Sequence, residues 1–129
     1  RYVMPPSALA VSVRPAQPAD RTAIERVVTT AFGAEEGPVV AGLVTELDHT
    51  RRTQVSLVAE VDGVVVGHTQ LSRSWVDARE ALVDVLVLSP LSVLPERQRQ
   101  GVGSVLVAAA LEAAGSLAAP AVFVEGDPA

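Results

Sequence analysis

The chain has 129 residues, 49% of them hydrophobic, and a formal net charge of −5. That bounds it to one domain and argues against a general nucleic-acid binder, because phosphate backbones select basic surfaces. Cysteine and lysine are absent, which removes disulfides, cysteine-based zinc sites, thiolate nucleophiles, Schiff bases and the Walker-type phosphate lysine.

With one Trp, one Tyr and two Phe, the core must be built from Ala, Val and Leu. Residues 1–8 are set aside as a tag or disordered leader, and a single domain is expected over 9–129. No secretory signal is visible, so a cytoplasmic protein is expected. The most apolar stretch, 102–111, is too short to cross a membrane and runs into Glu112 and Gly115.

Val11 to Arg14 reads as a strand stopped by Pro15. Pro18-Ala19-Asp20 then opens a helix, with Pro suited to the first turn and Asp facing the positive helix end. Ile24, Val27, Val28, Ala31 and Phe32 continue it at helical spacing, and Gly33 ends it. A second helix is predicted over Pro38 to Leu47. Val55 to Val61 and Val64 to Leu71 form a hairpin around Asp62-Gly63, a dipeptide that tolerates positive φ at both turn positions. Ser74 to Arg79 reads as a loop. Leu82 to Leu94 is a longer strand in which Ser89-Pro90 forces a bulge or splay, since proline cannot donate to a ladder. A helix follows over Val102 to Leu117, and Ala121 to Glu125 is a last strand, expected parallel to the one before the helix.

The start of the third helix is unusual. Its cap positions hold Arg99, Gln100 and Gly101 rather than Ser, Thr, Asp or Asn. The first four N–H groups of a helix lack internal partners, and the dipole adds positive charge there. With Arg97 and Arg99 beside it, and no side chain on Gly101 or Gly103, this is a candidate anion site, most readily for phosphate. An ordinary strand–helix turn with its N–H groups on water fits the same spacing. A Walker loop and a dinucleotide fingerprint do not.

Gln98-Arg99-Gln100-Gly101-Val102-Gly103 also resembles the Q/R-x-x-G-x-G/A signature of the GNAT superfamily of acetyl-CoA-dependent acyltransferases. "LSPLSVLPERQ" looks like that superfamily's fourth strand. The resemblance covers about residues 10 to 127 and is strongest toward small bacterial N-acetyltransferases. It implies an α/β fold with a mixed sheet, order β-α-α-β-β-β-α-β, and a bulged fourth strand. It implies acetyl-CoA as co-substrate and no metal. The pyrophosphate would lie on the turn of Gln98, Arg99, Gln100, Gly101, Val102, Gly103 and Ser104. The pantetheine arm would pair with Val93 and Leu94, and Leu91 would lie nearer the thioester. The implied chemistry is attack of a neutral amine on the acetyl thioester, with a general base, a polarising backbone N–H and an acid for the leaving thiolate.

Members of that superfamily usually continue past the fifth strand with a tyrosine acid and two further strands. Here the only tyrosine is Tyr2, so a truncated chain is expected. The exposed edge of 121–125 would recruit a partner, giving a homodimer or strand exchange. Glu60 is the candidate base, with Glu96 and Asp84 as lesser ones, each weighed against a plain solvated carboxylate. His49 and His68 are too far apart in sequence for a metal pair; His68 either faces the cleft or is a hydrogen-bonded strand histidine. Ser72, Ser74 and Ser89 lack a nucleophile-elbow context. Trp75 reads as a loop anchor or interface residue rather than a stacking platform. The alanine-rich face at 108–114 is expected to pack on the sheet.

The reading is thus an acyltransferase acting on a small-molecule or peptide amine, without nucleic acid or membrane partners. The alternative is a non-catalytic coenzyme A-binding or dimerisation module.

Overall fold

The computed structural model describes residues 10–78, 81–115, 117 and 122–124. Five strands form one sheet in the order β1 (Ser12–Pro15), β2 (Thr53–Val61), β3 (Val64–Ala78), β4 (Ala81–Val93), β5 (Val122–Val124) among the described residues. The first three pairings are antiparallel and the last is parallel. Helix α1 (Arg21–His49) precedes β2, and helix α2 (Val102–Ala114) joins β4 to β5. This is the mixed α/β architecture expected from the sequence.

Asp62 and Gly63 take φ of 53° and 77°, so the β2–β3 turn forms on the dipeptide that announced it. The expected break at Gly33 is also present, at φ 88° and ψ 179°. The second helical arm begins straight after it, earlier than the predicted Pro38, and runs to His49. The two arms meet closely: a Cβ on Gly37 would stand 2.5 Å from the Thr29 carbonyl oxygen.

Pro18–His49 has the length of a membrane span, and an 18-residue window within it reaches mean hydropathy 1.2, while the more apolar Val102–Ala114 is too short, as expected. The Gly33 break divides the longer stretch into arms of 21–32 and 34–49. Neither arm reaches the roughly 20 residues needed to span a bilayer.

The predicted loop at Ser74 to Arg79 is corrected. Residues 74–78 extend β3 and pair with β4 back to Ala81, while Arg79 lies outside the described residues. Trp75 and Val76 are strand formers, and the long β4 partner supplies a ladder that local turn propensity could not reveal. The fifth strand is described at Val122–Val124; Ala121, Glu125 and Tyr2 lie outside the described residues.

The two helices cover opposite faces of the sheet. A Cβ on Gly67 would stand 2.9 Å from Leu106 Cδ1 and 3.0 Å from Val102 Cγ1 of α2. The next residue, His68, lines a cleft beneath α1, and successive strand residues point to opposite faces. Among the described residues the buried hydrophobic ones are all Val, Leu or Ala, including Val27, Val58, Leu71, Leu88, Leu106 and Ala110.

Candidate functional site

β4 is regular up to Leu88 and then breaks register. Leu88 faces Leu71 and Leu91 faces Thr69, so three steps on β4 oppose two on β3. The extra residue falls at Ser89-Pro90, where the sequence placed it. The Thr69 hydroxyl donates to the Pro90 carbonyl at 3.1 Å in a fully buried hydrogen bond, which ties the bulge to β3.

The described part of the β4–β5 ladder runs to Leu88↔Val124, and beyond it no described strand lies along the outer edge of β4. The Leu94 N–H donates to the Val66 carbonyl at 2.9 Å. By the alternation of an antiparallel ladder, Leu91 and Val93 turn their N–H groups toward the opposite, open edge. The Val93 carbonyl accepts from Gln98 Nε2 at 3.1 Å. Leu91 and Val93 therefore offer backbone to a ligand on that edge, whereas the Leu94 N–H is already engaged.

A short 3-10 turn, Pro95–Arg97, leads into the glycine turn. Arg99 and Gly101 both take left-handed φ, 64° and 86°, and alternating hands along a backbone gather successive N–H groups into an anion-binding concavity. Gly101 is the N-cap of α2, and no side chain caps the helix. The first bond into the helix is Val105 N–H to the Gly101 carbonyl, which leaves the N–H groups of Val102, Gly103 and Ser104 ahead of the ladder. Space around Gly101 is open, with nothing within 4 Å of a hypothetical Cβ. Two side chains brace the turn: Gln98 holds Val93, and Gln100 Nε2 donates to the Glu96 carbonyl at 3.2 Å. Arg99 is exposed and Arg97 half-buried. The turn can hold a phosphate group and the β4 edge an extended, amide-bearing arm; the two are consecutive in the chain.

On the α1 side of the bulge a recess of about 220 Å³ is lined by Leu43, Leu47, Ser72, Arg73 and Ser89, among others. Ser72 and Ser89 thus meet in space, which their sequence positions did not announce.

Glu60 is not brought to the bulge. It sits on β2 opposite Ser12 of β1 and Val65 of β3 and accepts from Arg14 Nε. The Arg14 guanidinium also grips Asp20 in a fork, Nη1–Oδ2 2.8 Å and Nη2–Oδ1 2.9 Å, and Asp20 Oδ2 accepts the Gln17 N–H at 2.6 Å. The triad seats the start of α1 on β1 and β2, and its guanidinium holds the Asp20 carboxyl down at about 2. Glu60 is thus held by an ion pair with Arg14. Its partner lies 46 residues away in sequence, beyond the reach of local pattern. Glu96 is exposed beside the turn. Asp84 pairs opposite Trp75 in the outer part of the β3–β4 hairpin. His49 is exposed at the end of α1, and no cluster able to hold a metal ion occurs among the described residues.

A family model described as the acetyltransferase (GNAT) family matches residues 21–129. The uncharacterized N-acetyltransferase YjhQ of Escherichia coli K12 is 34% identical over 108 residues, 83% of this chain and 59% of that protein; this chain thus spans less than two thirds of that relative. A GNAT family acetyltransferase from Brucella melitensis, solved in complex with acetyl-CoA, superposes with TM-score 0.80 at 31% identity, covering 92% of this chain and 77% of that one. The GNAT family N-acetyltransferase YhbS from Escherichia coli, solved with CoA, gives 0.79 at 27% identity over 99% of this chain and 68% of that one.

Proposed function

The chain belongs to the GNAT family of acetyltransferases, and on that premise we propose that it transfers the acetyl group of acetyl-CoA to an amine acceptor. The observation that carries the proposal is the continuity of two ligand surfaces: the β4 edge at Leu91 and Val93, which no described strand covers, and the uncapped, left-handed start of α2 at Gly101. The acetyl-CoA and CoA complexes of the two solved relatives support the same ligand.

In this reading Gln98, Arg99, Gln100, Gly101, Val102, Gly103 and Ser104 form the pyrophosphate cradle. Helix dipole and backbone N–H groups supply the attraction, so neither lysine nor metal is needed. Leu91 and Val93 hold the pantetheine amides, and Leu94 contributes packing from below. Acetyl-CoA supplies the activated thioester. The outward N–H beside the bulge is placed to polarise a carbonyl, and a rigid donor of that kind lowers the barrier because it needs no reorganisation. The Thr69–Pro90 hydrogen bond holds that donor in position. The recess at Ser72, Arg73 and Ser89 receives the acceptor, a small-molecule or peptide amine.

Isothermal titration of the chain with acetyl-CoA, with ATP as control, tests the proposal. Saturable binding of acetyl-CoA alone is expected. A folded chain that binds neither ligand, or both equally, overturns it. We further propose that two copies pair along the outer edge of β5, which no described strand covers; a strictly monomeric species in sedimentation at high concentration overturns that part.

A further inference from the structure

The two arms of α1 form a V over the sheet, closed at its apex by the contact of Gly37 with Thr29. Inside the V, between the arms and the sheet, lies a cleft of about 460 Å³, within the size range of small-molecule sites. Ile24 and Val28 of the first arm and Val44 of the second supply apolar wall, Arg21, Glu25, Asp48 and His49 of the same arms also line the cleft, and Ser56 of β2 with His68 and Gln70 of β3 forms the floor.

That floor is unexpected. A sheet face covered by a helix ordinarily presents apolar residues. Here His68 and Gln70 are 0% and 1% exposed. Ser56 Oγ and His68 Nε2 share a hydrogen bond of 3.0 Å. His68 Nδ1, equally buried, has no partner among the described residues. A buried polar atom without a partner carries a desolvation penalty that a bound polar group relieves. Burial also keeps the ring neutral, so the floor favours a neutral hydrogen-bonding group over an anion.

The cleft is separate from the acceptor recess. Ala41, Val44 and Thr45 of the second arm line the cleft, whereas Leu43 and Leu47 of the same arm line the recess. We propose that the cleft is a second small-molecule site, taking a compact, neutral, largely apolar molecule that presents one hydrogen-bonding group to the Ser56–His68 floor. It does not depend on the acetyltransferase reading.

Phenol and benzene are the matched probes, identical in body and differing in one hydroxyl. Each is titrated into the full chain while the methyl signals of Ile24 and Val44 are followed by NMR. Saturable shifts with phenol are expected, with about fivefold weaker binding of benzene, the factor corresponding to one net hydrogen bond. Thr45 is exposed on the helix, so Thr45→Trp blocks the mouth without entering the core, and phenol binding should be lost with the fold intact. The proposal is overturned by unsaturable or absent methyl shifts, by equal binding of the two probes, or by phenol binding unchanged in Thr45→Trp. Titration with acetyl-CoA in the same samples reports on the other site independently.

Discussion

Gly101 is the residue on which the glycine turn depends, and the reason is conformational rather than steric. A Cβ would meet nothing within 4 Å, yet the φ of 86° lies where side chains are disfavoured. Gly101→Val should cost roughly 1–2 kcal/mol if the conformation is kept, and more coenzyme A affinity if the turn relaxes. We expect binding by titration calorimetry to weaken at least about tenfold, equivalent to ~1.4 kcal/mol, with far-ultraviolet circular dichroism unchanged; undiminished affinity would remove the turn from the site. His68 sets a pH dependence of stability. Burial lowers its pKa from 6.5 to about 4, so the folded state holds it neutral while the unfolded chain takes up a proton. Stability should therefore fall as pH drops from 6.5 toward 4, by up to about 3 kcal/mol for a shift of this size, and level off below. Urea midpoints at pH 7 and pH 5, compared with those of His68→Gln, check this; parallel slopes in the two proteins would rule it out. The glycine turn was legible because its residues are contiguous. The ion pair of Glu60 was not legible, because only the folded sheet brings Arg14 to it.

At the level of the elements, two close contacts make sharper demands than any helix propensity. The Gly37 Cβ position is 2.5 Å from backbone oxygen, which cannot yield as a side chain does. Gly37→Ala should force the arms of α1 apart, at a cost of several kcal/mol by analogy with overpacked cores, seen as a lowered thermal midpoint; an unchanged midpoint would mean the arms are free to separate. The bulge depends on Thr69 in a comparable way. Thr69→Val keeps the shape but strands the buried Pro90 carbonyl, costing about 1–3 kcal/mol. Turnover should suffer more than stability, because the donor beside the bulge loses its support. A kcat equal to that of the parent would detach the hydrogen bond from function. The sequence revealed the β2–β3 hairpin, the Gly33 break and the Ser89-Pro90 irregularity, each written in local chemistry. It hid the outer half of the β3–β4 hairpin, because residues 74–78 become a strand only through their long partner.

For the whole molecule, the Arg14–Asp20–Glu60 triad ties β1 and the start of α1, neighbours in sequence, to the remote β2. The Asp20 carboxyl is lowered from 3.8 to about 2, so the stabilisation it provides is complete above pH 3.8 and disappears as pH falls through 2. Arg14→Gln should abolish that acid limb and leave the His68 window untouched, which a pair of pH–stability profiles separates. An acid limb that persists in the variant would place its origin elsewhere. Fold class was readable from the order of elements, whereas the polar floor beneath α1 was not, since alternation along a strand does not say which face a helix will cover.

The bulge and the glycine turn that follows it also set a reach. Leu91 and Val93 lie at the end of β4, where the strand advances at about 3.3 Å per residue, and the 3-10 turn Pro95–Arg97 separates them from the N–H groups at Gly101. A ligand must be long and extended to touch both. A compact nucleotide can satisfy the helix mouth yet never reach the bulge, and a bare thioester can reach the bulge yet find no purchase at the mouth. On the proposed reading, the co-substrate is selected as by a ruler, by reach.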